Sequence, residues 1–376
     1  MSPETMQAWV FKKKGAPSDV LRKVEDWPKP VPKGKEVLIK IHAASLNRCD
    51  HQDGLRGESW GTAIAWKGMG VFPISALQKV PSIPEADLAG TIAGGNLEGS
   101  GFALGDAVFG QIPYGDIFKT GGGVLAEYAV IDHDLLVKKP DNISFEEAAS
   151  FPLAGLTACY VLGRLGGLKK DQDDGEQKRV FINGGSGGVG GYAVQIARLL
   201  GAFVVTTCSD ASLSYVESLK PNEVINYRQV DLAQELTKRY SSQPFDLIFD
   251  TVGIDLHKDS PKFLKAGGPG YIDIAGPPMT GTVMSTIGSV SSILYRMAWP
   301  RILGGTPRKY RFAGLPAEKM VPELKQAAEL FKDGAFEARA GIPMVDSVHS
   351  FYGALKAYEK QMSSRAKGKV VVKVVA

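Results

Sequence analysis

Cysteine is scarce. The chain has three in 376 residues, Cys49, Cys159 and Cys208, far apart and without a C-x-x-C pair. That spacing argues against a disulfide framework or a zinc module and fits a reducing compartment. An excess of one charge is also missing. Forty-four Lys+Arg nearly balance 40 Asp+Glu, leaving +4, too small and scattered a surplus to mark a nucleic-acid partner. Long apolar runs are absent too. The most apolar late stretch, residues 283–303, is interrupted by Arg296 and several Ser and Gly. It is no membrane span, and without a basic polar face it reads as an interface or loop-helix segment. The first 15 residues, MSPETMQAWVFKKKG, show no apolar core of signal-peptide length. A cytoplasmic location is the expectation, with mitochondrial or membrane-peripheral association left open.

Glycine is plentiful, 44 residues, and one cluster of it organises the chain. Residues 180–207 read VFINGGSGGVGGYAVQIARLLGAFVVTT. A short apolar strand, Val180 to Ile182, runs into a turn in which Gly185, Gly187 and Gly190 fit G-x-G-x-x-G. A helical pattern follows from about Gly191 to Leu200, with Gly201 able to cap it, and a second strand runs from Phe203 to Thr207. Strand, glycine turn, helix and strand in this order form the context of a dinucleotide site. The glycines allow a tight turn, close approach of a pyrophosphate to the backbone and close helix–strand packing. The helix N-terminus offers N–H groups and a positive dipole end to phosphate. Ser186, Gly188 and Val189 belong to the same turn.

The end of the second strand bears on which nucleotide binds. An acid that takes the ribose 2′-OH of NAD is expected about 20 residues past the glycines. Nineteen positions past Gly190 stands Ser209, uncharged, which favours NADPH because no carboxylate repels a 2′-phosphate. Asp210, one place later, keeps NADH open as the alternative.

The rest of the chain divides in two. Residues to about Lys138 are β-rich with glycine turns and suggest a partly closed barrel-like domain. Strands are predicted over 6–11, 36–43, 86–93, a short one at 105–110, and 121–131. A polar turn or short helix is predicted over 45–53 and an irregular loop over 54–85. Ser144 and Glu147 form a capping box opening a helix, and another helix is expected over 155–165. From residue 180 strands and helices alternate: strands at 223–227, 245–250, 271–274 and 311–314, and helices at 232–240 and 319–332. That is a doubly wound α/β pattern. The final strand, 369–375, returns to the first domain.

Several motifs together resemble the medium-chain dehydrogenase/reductase superfamily, in its zinc-free quinone-oxidoreductase-like branch. They are SLNRCD (Ser45–Asp50), GDAVFG (Gly105–Gly110), GGVLAEYAV (Gly122–Val130), NISFEEAASFPLAGLTACYVL (Asn142–Leu162), NGGSGGVGGYAVQIA (Asn183–Ala197), VINYR (Val224–Arg228), DTVG (Asp250–Gly253) and KGKVVVKV (Lys367–Val374). The resemblance implies an α/β protein: a GroES-like β-rich barrel domain plus a Rossmann domain with a doubly wound parallel sheet. The boundaries expected are 1–149 and 339–376 for the GroES-like catalytic domain and 150–338 for the Rossmann domain.

The resemblance also implies site residues. Zinc-containing relatives place a Cys where this chain has Asn47 and a His where Ala86 precedes Asp87. They also carry four close cysteines around residues 95–120, where this chain has none. Metal is therefore expected to play no part, since zinc needs thiolate, imidazole or carboxylate ligands in a tetrahedral set. Asn47 and Asp50 correspond to the loop facing the nicotinamide, and Asn47 is a candidate to hydrogen-bond substrate carbonyl or cofactor. Tyr114, in the loop QIPYGD, is the candidate proton donor; His51–Arg56 supplies no tyrosine where relatives often carry one. Thr157 corresponds to a position touching the nicotinamide ribose or phosphate. Tyr227 corresponds to one near the adenine and 2′-phosphate, and Val252 lies in the DTVG turn. Leu213 stands where NADPH-preferring relatives often carry Lys. The implied activity is zinc-independent, NADPH-dependent hydride transfer to a small molecule, an activated C=C or a quinone. Alternatives are a 2-enoyl-thioester reductase or a non-enzymatic cofactor-binding partner protein. A homodimer is expected, paired near residues 283–315.

Overall fold

The computed structural model describes residues 4–13, 15–48, 79–170, 176–253, 255–275, 291–297, 305–332 and 344–375. Asp50 and most of the 54–85 stretch lie outside the described residues. Strand β1 (Thr5–Phe11) pairs antiparallel with β2 (Leu21–Pro28). Then come β3 (Glu36–Leu46), β4 (Asp87–Gly95), β5 (Ala107–Gln111), β6 (Tyr128–Asp132) and β7 (Leu136–Lys138). Alternation in EVLIKIHA turns Val37, Ile39 and Ile41 into the barrel core beside Leu88, Ile92 and Val108, as a strand's period of two requires.

The second sheet is built from β8 (Arg179–Asn183), β9 (Phe203–Cys208), β10 (Glu223–Asn226), β11 (Leu247–Asp250), β12 (Gly270–Asp273) and β13 (Tyr310–Phe312). Its order is β10-β9-β8-β11-β12-β13, and every pair is parallel. Val180, Phe181, Ile182, Leu247, Ile248 and Phe249 are all fully buried, as continuous apolar strands are when helices cover both faces. The order reverses at β8, so its C-terminal end with β9 and β11 forms the crevice where ligands bind in such sheets. The last strands, β14 (Val345–Ser350) and β15 (Lys369–Lys373), return to the first sheet, whose order is β14-β15-β3-β4-β5-β7, with β6 on β3.

Several elements differ from the sequence expectation. The fingerprint helix runs Gly188–Leu199, three residues earlier than predicted. Its packing on β8 and the absence of Cβ atoms outweigh the poor helix propensity of Gly188, Gly190 and Gly191. Gly201 does adopt a positive φ of 78° just past that helix. The strand predicted from residue 121 begins only at Tyr128. Gly121 caps a helix with φ 77°, and a Cβ on Gly123 would stand 2.3 Å from Pro84 O. That segment therefore packs by close backbone approach. The helix predicted over 155–165 starts at Pro152, a residue suited to a first turn. Strands β2 and β14 and the helices Leu213–Ser218 and Ala354–Met362 were not expected. Charged residues interrupt LRKVEDWP and VDSVHS and mask their alternation.

Candidate functional site

The glycine turn joins β8 to its helix, and each glycine meets a different constraint. A Cβ on Gly185 would lie 2.3 Å from Thr206 Oγ1, and one on Gly190 would lie 2.1 Å from Gly184 O. These two are needed by the protein itself. A Cβ on Gly187 would meet nothing closer than Gly184 O at 3.6 Å. That leaves room at Gly187 for a group to approach the backbone closely. Gly187 is the N-cap of the 12-residue helix. The N–H groups of Gly188, Val189 and Gly190 open it, where an anion is favoured. The donor set therefore fits a pyrophosphate.

Side chains brace this turn from below. Gly184 N donates to Thr207 Oγ1 (2.9 Å), whose hydroxyl donates to Asn183 Oδ1 (2.8 Å). Asn183 Nδ2 donates to Asp250 Oδ1 (2.9 Å). Fully buried Asp250 also accepts from the N–H groups of Val252 (2.9 Å) and Gly253 (3.1 Å) and from the Tyr271 hydroxyl (2.6 Å). Val252 is thus held beside Gly184 and is 41% exposed. The sequence offered Asp250 only as part of DTVG, yet it ties the two loops at the strand ends together.

The barrel meets this turn through its last strand. Gly368 N donates to Ser186 O at 3.0 Å, and a Cβ on Gly188 would lie 2.8 Å from Lys369 Cδ. Lys369 is buried. Its ammonium donates to Leu46 O (2.9 Å) and to Asn47 Oδ1, and lies 3.5 Å from Asp87 Oδ2. Asn47 Nδ2 donates to Asp87 Oδ2 at 3.0 Å, and Asp87 Oδ1 accepts from Leu153 N at 3.0 Å. Thr157 Oγ1 in turn donates to Leu153 O at 2.6 Å, one turn back in its own helix. Asn47, Thr157 and the glycine turn are therefore linked through Asp87, Leu153 and Lys369. The lysine was missed. Its one signal is a charge that opens a β-branched run directly after Gly368.

Tyr114 is the first residue of a short helix, Tyr114–Thr120, and not part of an open loop. It is half-buried against the barrel core, three residues past Gln111, which pairs with Asp87 across β5 and β4. Ser209 and Tyr227 directly follow the paired ends of β9 and β10. Asn226 pairs with Cys208 in the β10–β9 register, and Tyr227 N donates to Cys208 O at 3.2 Å. Burial pushes the Cys208 thiol up to about 11 and the Cys159 thiol up to about 12, which removes both as nucleophiles near neutrality. Among the described residues, Asp132, His133 and Asp134 form a group of possible metal-ligating side chains. It lies at the end of β6 paired with Glu36, at the opposite end of β3 from Asn47.

An open parallel sheet with a glycine turn at its switch point, docked onto a β-barrel, defines a two-domain oxidoreductase of the dinucleotide-binding class. Residues 33–141 match the alcohol dehydrogenase GroES-like domain, and residues 219–372 match the family described as zinc-binding dehydrogenase. A trans-enoyl reductase, pgmF, of Aspergillus terreus (strain NIH 2624 / FGSC A1156) is 32% identical over 384 residues, covering 99% of this chain and 97% of its own length. The mitochondrial NAD(P)H oxidoreductase RTN4IP1 of Bos taurus is 30% identical over 380 residues, covering 98% and 89%. The solved quinone oxidoreductase of Coxiella burnetii superposes with a TM-score of 0.72 at 26% identity, covering 99% of this chain and all of its own. The chain belongs to the medium-chain dehydrogenase/reductase superfamily, in its quinone-oxidoreductase-like branch, and is an oxidoreductase. Among the described residues no helix is long and apolar enough to cross a membrane.

Proposed function

We propose that the chain is a zinc-independent reductase that passes a hydride from NADPH to an activated C=C bond or a quinone. The observation that carries this reading is the Lys369 ammonium, set among Leu46 O, Asn47 Oδ1 and Asp87 Oδ2. A catalytic zinc needs three protein ligands and an open position. Here the neighbouring positions hold Asn47 and Ala86, and the Asp87 carboxylate already has a buried ammonium beside it and accepts from the Asn47 amide and a backbone N–H. Without a Lewis acid, the suitable acceptor is one whose own conjugated carbonyl spreads the incoming charge.

When bound, the nicotinamide supplies the hydride. The residues orient, exclude water and supply a proton. Asn47, held at both ends of its amide by Lys369 and Asp87, and Asp50 are the candidates to face the nicotinamide. Tyr114 is the candidate donor of the proton that balances the hydride, giving a saturated ketone or a hydroquinone. Gly185–Gly190, with Ser186, Gly188 and Val189, take the pyrophosphate; Thr157 and Val252 flank the nicotinamide side; Ser209 and Tyr227 take the adenosine end. The division at 149/150 and 338/339 follows the return of β14 and β15 to the barrel sheet. A homodimer through the sheet edge at β13, and a cytoplasmic location, complete the proposal.

A 2-enoyl thioester is the second acceptor class, favoured by the similarity to the Aspergillus trans-enoyl reductase. The test is NADPH oxidation by purified protein against quinones, enones and enoyl thioesters of increasing chain length. Turnover of short quinones or enones without gain from a longer chain supports the first reading. A steep rise with thioester chain length supports the second, and no turnover of any of the three sinks both. Sedimentation as a monomer would remove the dimer.

A further inference from the structure

Asp210 is the acid that a sequence reading assigns to the ribose of NADH. The structure commits it elsewhere. Its Oδ1 accepts from Asn226 Nδ2 at 2.6 Å and from Gln229 Nε2 at 2.9 Å. Asn226 ends β10 and Gln229 lies three residues on, so the two donors bracket the turn that follows. That turn is closed internally by Arg228 N donating to Asn226 Oδ1 (3.1 Å) and Gln229 N to Asn226 O (3.1 Å). Its two remaining residues are Tyr227 and Arg228. Tyr227 is 43% exposed, and the Arg228 guanidinium lies 5.8 Å from its ring centroid. Asp210 thus staples the turn bearing Tyr227 and Arg228 to the strand end bearing Ser209.

We propose that Asp210 is a positioning residue for the 2′-phosphate of NADPH, acting through the 226–229 turn, and that Arg228 supplies the cation that the phosphate meets. With Oδ1 taken by the two amides of this turn, Asp210 keeps only Oδ2 for a ribose hydroxyl and cannot offer both oxygens to a diol. Left in place, it sets a hydroxyl, a phenol ring and a guanidinium at one rim. That set suits a phosphate monoester, for which a guanidinium offers charge-assisted paired hydrogen bonds. Arg228 also takes over the charge that Leu213 does not provide.

The inference rests on the NADPH reading above, and one set of titrations separates the two. Dissociation constants for NADPH, NADH, 2′,5′-ADP and 5′-AMP are measured by fluorescence and calorimetry on wild type, Asp210→Ala, Asp210→Asn and Arg228→Ala. Melting of each nucleotide-free variant is recorded alongside. Because Asp210 and Arg228 are exposed, all variants should melt like wild type. Asp210→Ala should weaken NADPH and 2′,5′-ADP about fivefold to tenfold, with NADH and 5′-AMP unchanged. Asp210→Asn, whose Oδ1 still accepts from both amides, should keep most of the affinity. Arg228→Ala should cost at least about tenfold for the two phosphorylated ligands alone. If Asp210 instead reads ribose, both of its variants lose NADH and bind NADPH more tightly, and the inference is overturned. An unchanged NADPH affinity in Asp210→Ala also overturns it, while wild-type preference for NADPH stands. If wild type binds neither nucleotide, or prefers NADH, it is the cofactor reading itself that fails.

Discussion

Two polar constellations hold strand ends in place, and they differ mainly in their access to water. At the barrel junction, Lys369 and Asp87 have side chains only 4% and 0% exposed and share their bonds with Leu46, Asn47 and Leu153. At the ends of β9 and β10, Asp210, Asn226 and Gln229 make a similar set of bonds at the surface. A buried ion pair is costly to break because the surviving charge is left without water. A surface cluster contributes little to stability, since solvent replaces what is lost. The same chemistry is therefore expected to be structural in the first region and to set ligand preference in the second.

The largest effect is expected from Lys369→Met, which removes the cation beside buried Asp87. Urea unfolding should show a loss of about 3–5 kcal/mol, and Lys369→Met combined with Asp87→Asn should recover part of it. A loss no larger than that of Asp210→Ala would erase the distinction. A second pair of variants separates fold from ligand within the glycine turn. Gly190→Ala forces a Cβ to within 2.1 Å of Gly184 O and should cost about 1–3 kcal/mol. Gly187→Ala has room in the protein. It should melt normally yet bind nucleotide at least about tenfold more weakly, by titration, since its methyl group would fill the proposed pyrophosphate cradle.

Titration probes the interior more gently. Burial is the leading cause that lowers the pKa of His42, His257 and His349. An unfolded histidine takes up its proton near about pH 6.5, while these folded ones resist until lower pH. Their contribution to stability is thus full above about pH 6.5 and is lost as pH falls through that value. Melting temperature should decline between pH 7 and pH 5, and His257→Gln should flatten the decline. A flat profile in the wild type would contradict it. The smallest effect concerns Cys208, directly before Ser209. With its thiol pushed up to about 11, alkylation at pH 8, mapped by mass spectrometry, should be far slower than for a free thiol. Rapid labelling would show that the base of the staple is open to water.

The sequence made the α/β pattern legible because its core strands are uninterrupted, as in VFIN and DLIFD, and because the glycines sit between strand and helix. The capping box at Ser144 and Glu147 is present as read, with both reciprocal bonds made. Elements whose residues face two environments were not legible. LRKVEDWP alternates imperfectly because β2 buries only its first residue, Leu21, and Tyr114 opens a helix of only seven residues. At the site, local motifs pointed to the glycine turn, Ser209 and Tyr227, since spacing along one unit sets them. Lys369 and Asp87 are 282 positions apart, and only the return of β15 beside β3 brings them together. Asp210 was visible as a residue, but its partners were not. Its bonds depend on how the turn after β10 closes.

Hydride transfer without zinc is best examined on chelator-treated protein whose metal content is measured on the same sample. NADPH oxidation against a short quinone and a short enone should proceed at the untreated rate with less than about 0.05 zinc per chain, because Lys369 already fills the cation position beside Asp87. Activity that disappears on chelation and returns in proportion to added zinc would contradict the account.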